Sequence, residues 1–174
     1  MTTTTVKYRP RPIDPGTLER LRALDDAGRP SVPSTDPEGG APLRCCLRRS
    51  RAGESIALVS YAPLRRWAAG RGVDPGAYDE QGPVFIHATE CGGPEPVADY
   101  PFARPGVLRT LRRYGADGRI LGGRLLELPE GAAGEGVGEA FDAALDEAFA
   151  APEVMQVHVR AVEYGCFLFE VRRP

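Results

Sequence analysis

Gln156-Val-His-Val-Arg-Ala-Val162 and Cys166-Phe-Leu-Phe-Glu-Val-Arg172 alternate apolar with polar or small residues almost without a break. Successive side chains of a strand point to opposite faces. The two stretches therefore read as an antiparallel hairpin closed by Glu163-Tyr164-Gly165, with Gly165 at the turn position that needs a positive φ. Placing Val157, Val159 and Ala161 on the same side as Phe167, Phe169 and Val171 pairs Val162 with Cys166. It also sets His158 opposite Glu170 and Arg160 opposite Leu168. The other face then carries Gln156, His158, Arg160, Glu170 and Arg172. Such a face is either solvated, with an ordinary cross-strand pair, or it lines a polar cavity in which the carboxylate fixes a histidine tautomer.

Outward from this hairpin the same signals recur. Leu43–Arg49 and Ser55–Tyr61 read as strands around Ser50-Arg-Ala-Gly-Glu54, and Val107–Tyr114 and Arg119–Leu128 as strands around Ala116-Asp-Gly118. Val84–Ala88 reads as a short apolar strand. Asp14-Pro15 opens a helix carrying Leu18, Leu21 and Leu24, with Gly28 and Pro30 as its stop. Glu139–Ala150 is a second helix with Ala140, Phe141, Ala144, Leu145, Ala148 and Phe149 on one stripe. Segments 29–41, 68–82 and 92–106, rich in Gly and Pro, read as loops long enough to serve as lids or binding loops, the second preceded by an irregular start at Pro63–Trp67. Gly134-Glu-Gly-Val-Gly138 resembles a phosphate loop only faintly, with no strand before it and no Lys after. The expected fold is α+β: a single domain over 14–174, with a largely antiparallel sheet of about seven strands and two helices, behind an extended arm at 1–13.

The 174 residues carry 22 basic and 24 acidic groups, and this balance argues against a dedicated nucleic-acid binder. The runs Arg44, Arg48, Arg49, Arg51 and Arg109, Arg112, Arg113 lack interleaved aromatics and read as solvated charge. No stretch approaches the ~18 apolar residues of a membrane span. No secretory leader is visible, and the 4 cysteines are too few for a disulfide framework, so a reduced, cytoplasmic setting is expected. Cys45 and Cys46, as neighbours on a strand, would face opposite ways and could not act as a joint clamp; a shift of one residue exchanges which faces inward.

Two constellations carry chemistry. His158 oriented by Glu170 suits a general acid/base, with Arg160 holding an anionic group of a small molecule. His87 and Cys91 suit a zinc, iron or copper site, or a thiolate nucleophile beside an imidazole. In an extended chain their side chains would stand about 13 Å apart, so a bend is required; Gly92 and Gly93 come after the pair. Cys166 reads as a small hydrophobe, too far along the hairpin from His158 to share a metal with it.

Gly82-Pro83-Val84-Phe85-Ile86-His87 followed by Cys91, and Val157-His158-Val159-Arg160 followed by Gly165-Cys166-Phe167, resemble the bacterial family known as domain of unknown function 1203. Cys46-Leu47 with Gly53-Glu54, and the Arg113-Tyr114 hairpin with Asp117-Gly118, are similar to it as well. The likeness covers roughly residues 40–172. It implies a small soluble cytosolic protein and no particular activity. The residues alone favour a small-molecule enzyme or ligand-binding domain using His87, Cys91, His158, Arg160 and Glu170. The alternative is a non-catalytic interaction domain whose last hairpin edge or Tyr8–Pro12 arm meets a protein partner. Oligomeric state is open on either reading.

Overall fold

The computed structural model describes residues 6–96, 99–131 and 136–174. They form two compact units, Pro12–Glu95 and a second made of the chain up to Arg11 together with Pro96–Pro174. Among the described residues the fold is α+β, with two antiparallel sheets and three α-helices rather than one sheet and two helices.

In the first unit, helix α1 (Pro15–Ala23) starts as expected: the Asp14 side chain accepts the Thr17 amide at 2.9 Å and Pro15 occupies the first turn. It ends at Ala23, earlier than the glycine predicted, because Leu24 is extended and bridges Pro30. Strand β1 (Pro33–Thr35) lies inside the segment expected to be a loop. Strand β2 (Ser55–Tyr61) has the expected bounds, and β3 (Gly82–His87) pairs with it antiparallel from Ile56↔His87 to Tyr61↔Gly82. Sheet order is β1-β2-β3. Helix α2 (Pro63–Arg71) replaces an expected irregular stretch. Pro63 there begins the helix and Gly72, left-handed at φ 67°, ends it, while Pro63, Leu64, Trp67 and Ala68 form its buried stripe.

Leu43–Arg49 is not a strand. It is a tight turn closed by Leu47 N–H to Leu43 O and Leu43 N–H to Arg48 O, each 2.9 Å. Leu47 sits at φ +57°, a conformation no regular strand accommodates. A parallel bridge from Leu43 to Phe85 and the Arg44 N–H to Phe85 O bond lay the turn against β3.

The second unit is a four-stranded sheet in the order β5-β4-β6-β7, with β4 Leu108–Tyr114, β5 Ile120–Glu127, β6 Gln156–Ala161 and β7 Phe167–Arg172. Helix α3 (Val137–Ala150) buries Phe141, Ala144, Leu145, Ala148 and Phe149, the stripe read from the sequence. Phe141 lies between Tyr100, with ring centroids 4.7 Å apart, and Phe169 of β7 at 6.3 Å. Of the faint phosphate loop, Gly134 and Glu135 lie outside the described residues, and Gly136–Gly138 are the cap and first turn of α3. From the N-terminal arm, Tyr8 stacks on Phe149 at 5.4 Å and donates to Asp146, so this aromatic is part of the core.

The last hairpin keeps His158 opposite Glu170, but a bulge follows Val159, and Arg160 pairs with Phe167 instead of Leu168. The extra residue turns Phe167 away from the Phe169 side and onto the face of His158. The face read as either solvated or lining a polar cavity is mostly buried: Gln156, His158 and Glu170 are all inside, and Arg172 alone of the five is exposed.

Candidate metal centre

The Leu43–Arg49 turn has a consequence that a strand would have forbidden. With the backbone curled, Cys45 and Cys46 both bury their sulfurs on the same side, 3.9 Å apart. His87 is the last residue of β3, and its Nδ1 lies 3.3 Å from Cys45 Sγ and 3.7 Å from Cys46 Sγ. The His87 amide also donates to Cys45 Sγ at 3.2 Å. After His87 the chain bends at Ala88 and Thr89, ahead of Cys91 rather than beyond it. This brings the Cys91 sulfur back, so that the donor atoms of Cys45, Cys46, His87 and Cys91 all lie within 4.8 Å of one another. The expected His87–Cys91 pair is thus half of a four-donor cluster, and the strand reading of 43–49 concealed the other half.

These spacings have a chemical scale. A tetrahedral ion holding sulfur at ~2.3 Å and imidazole nitrogen at ~2.0–2.1 Å requires S···S edges of about 3.8 Å and S···N edges of about 3.6 Å. The three separations among Cys45, Cys46 and His87 fall within a few tenths of an ångström of those edges.

Around the cluster, Arg48 makes a bidentate pair with Glu54 at 3.0 and 2.7 Å. Glu54 Oε2 lies 3.4 Å from His87 Nε2. Arg48 Nη2 stands 3.3 Å from the same nitrogen; were Nδ1 to bind a metal, Nε2 would carry the hydrogen and face the Glu54 carboxylate, the arrangement that orients metal-bound histidines. Hydrogen bonding from Arg48, then from the Arg51 amide, holds the Glu54 carboxyl down at about 2, so it stays an acceptor. The Cys45 thiol donates to Cys46 and, with the Arg48 amide and the nearby Arg48 guanidinium, lowers the Cys46 pKa. The same bond, together with burial, pushes Cys45 up.

His158, Glu170 and Arg160 form a different picture. Register alignment puts His158 and Glu170 side by side, yet Nε2 to Oε2 is 3.9 Å, beyond a hydrogen bond. The His158 ring is fully buried between Tyr114, 4.5 Å away, and Phe167, 5.2 Å away. Neither ring nitrogen has a hydrogen-bond partner among the described residues. Burial, reinforced by the charges of Arg160, Arg112 and Arg172, holds its pKa well below the usual value, so it is neutral. Glu170 is paired with Arg172 at 2.7 Å, and Arg160 donates to Gly165 O at 3.0 Å. Folding must keep His158 unprotonated whereas the unfolded chain protonates it below pH ~6.5, so stability should fall as pH drops through that value. The slope contributed is up to ~1.4 kcal/mol per pH unit. Denaturant melts of wild type and His158→Phe at pH 7.5 and 5.5 should show a smaller acid loss in the variant; parallel losses would contradict this.

The sequence reading missed Cys45 and Cys46 as ligands; the available signal was that Cys46-Leu47, like His87 and Cys91, is among the residues that resemble the family. The expected solvated arginines are also engaged: Arg44 on Pro42 O, Arg48 on Glu54 and Arg49 on Gly40 O. No helix among the described residues is long and apolar enough to cross a membrane.

Fold and site together define an α+β protein with a Cys/His cluster of metal-ligand geometry. A family model described as protein of unknown function, DUF1203, matches residues 40–173, and the chain belongs to that family. All four donors fall inside the matched region, whereas α1 lies before it. Searches of curated proteins and of solved structures each returned no match.

Proposed function

We propose that the protein binds one zinc ion through Cys45 Sγ, Cys46 Sγ, Cys91 Sγ and His87 Nδ1. The observation that carries this is the convergence of four soft or borderline donors, from three chain segments, within 4.8 Å of one another, with Cys45, Cys46 and His87 at separations close to tetrahedral edges. Three sulfurs and one imidazole in a tetrahedral array favour zinc over iron or copper among the cations considered, since zinc has no geometric preference to offend. Zinc with three thiolates carries one net negative charge, and Arg48 supplies a neighbouring positive one. With four protein ligands the centre is of the closed type, and its role is to tie the Leu43–Arg49 turn, the end of β3 and the segment through Cys91 together.

The test is elemental analysis of untagged protein purified without chelator, followed by cobalt substitution. We expect one zinc per chain, and in the cobalt form an intense sulfur-to-metal charge-transfer band that weakens in Cys46→Ser and in Cys91→Ser. Protein that stays metal-free after zinc is added back would overturn the proposal.

A further inference from the structure

The four-stranded sheet of the second unit has two edges, and they are finished differently. At β7 the N-terminal arm closes on the ladder, with the Arg11 amide donating to Glu170 O at 2.8 Å. At the other edge β5 has no strand or bridge beyond it among the described residues. Its 8 residues make a long edge, and long unpaired edges are normally blunted by charge, proline or a bulge. The bulge here lies at the start of β5, where Leu121 is the extra residue between Tyr114↔Ile120 and Arg113↔Gly122. From Gly122 to Glu127 the ladder is regular. Arg124 within it is engaged by Glu147 of α3 and does not guard the edge.

Register decides which backbone groups face outward. The Leu128 amide donates to Val107 O at 3.0 Å, so Leu128, Leu126 and Arg124 direct their N–H and C=O at β4. Gly123, Leu125 and Glu127, which alternate with them, direct theirs away from it. All three are exposed, Leu125 at 59%. Gly123 lacks the positive φ that would require a glycine. A glycine inside a strand without that reason suits a place where another backbone approaches.

A two-fold axis at Leu125 accommodates each of these features. Antiparallel pairing of β5 with β5 of a second copy sets Leu125 opposite its counterpart and Gly123 opposite Glu127, with about six backbone hydrogen bonds. The two exposed Leu125 side chains then cover each other. Glu127 of each copy stands over the bare Gly123 of the other, whose neighbour on β4 is Arg112. Two strand spacings separate their Cα atoms by ~9.6 Å, within reach of two long side chains of opposite charge. Moving the axis to Arg124 would instead set two guanidiniums face to face, and moving it to Gly123 would draw the bulged Leu121 into the ladder. We infer that β5 is the docking edge for a second copy of this chain, forming a symmetric dimer whose sheet is continuous through Leu125. The dimer goes beyond the metal reading, since all four donors belong to the other unit. An edge of this length buries little surface, so the dimer is a weak, reversible one.

The test is sedimentation velocity on the full chain between ~1 μM and ~1 mM, the range of weak association, where a reversible monomer–dimer equilibrium is expected. Leu125→Lys and Leu125→Glu each place like charges across the axis and should weaken association about tenfold or more. An equimolar mixture of the two should recover it, because Lys then faces Glu. Residue 125 is exposed, so both variants should keep the wild-type melting temperature. Amide hydrogen exchange by NMR reads the register: Gly123, Leu125 and Glu127 should gain protection as concentration rises, whereas Arg124 and Leu126 are protected throughout. A chain monomeric at millimolar concentration, a dimer indifferent to both variants, or a mixture no stronger than either variant alone would overturn the inference. So would outward amides whose protection ignores concentration.

Discussion

With zinc held as proposed, stripping it with a strong chelator should lower the thermal unfolding midpoint by about 10–30 °C. Structural zinc sites contribute ~10–16 kcal/mol of apparent binding free energy at neutral pH. The β2–β3 ladder and the backbone bonds of the Leu43–Arg49 turn hold part of this unit without an ion, so roughly half of that figure is expected to reach stability. For chains of this size each kcal/mol moves the midpoint by ~2–4 °C. Differential scanning calorimetry with and without chelator reads the shift directly, and added zinc should restore the original midpoint. Cys46→Ser should melt low without any chelator. A midpoint indifferent to chelator would remove the centre from the account of stability.

The second large effect belongs to the other unit. Phe141→Ala should cost ~3–5 kcal/mol. Phe141 is completely buried on α3 and lies against both Tyr100 and Phe169, so truncation leaves a void between the helix and the sheet. The neighbours have little freedom to fill it. Tyr100 is tethered, since its hydroxyl donates to Asp142 at 2.6 Å and accepts the Tyr8 amide at 3.2 Å. Phe169 is fixed in the β6–β7 ladder opposite Val159. Chemical denaturation should show the loss as a lower midpoint with an unchanged slope. A loss under about 1 kcal/mol would mean that the Tyr100 loop collapses onto the helix, contrary to its bonding.

Much of the second unit was legible because its signals are local. Alternation in 156–172, the turn at Ala116-Asp-Gly118 and the stripe of α3 each specify an element from a short window of residues, and all are present. One extra residue, Leu168, defeated the register beyond Val159, since a bulge leaves the alternation intact on paper while shifting the pairing in space. The same bulge explains why Phe167 lies over His158 on a face that read as either solvated or cavity-lining, where Tyr114 of β4 packs as well.

The sequence by itself determined the class of fold, the bounds of β2 and the start of α1, because pattern, cap and turn chemistry act over a few residues. It also singled out His87 and Cys91, since their types and spacing are chemical facts independent of folding. Tertiary structure alone decided that Cys45 and Cys46 share a side, that Pro63 and Gly72 bound a helix, and that the chain bends before Cys91. Leu43–Arg49 has the composition of a strand, and only its contacts with β3 show that it closes as a turn. A four-donor centre assembled from three separated segments depends on distances between residues about forty apart, and no local pattern encodes those distances.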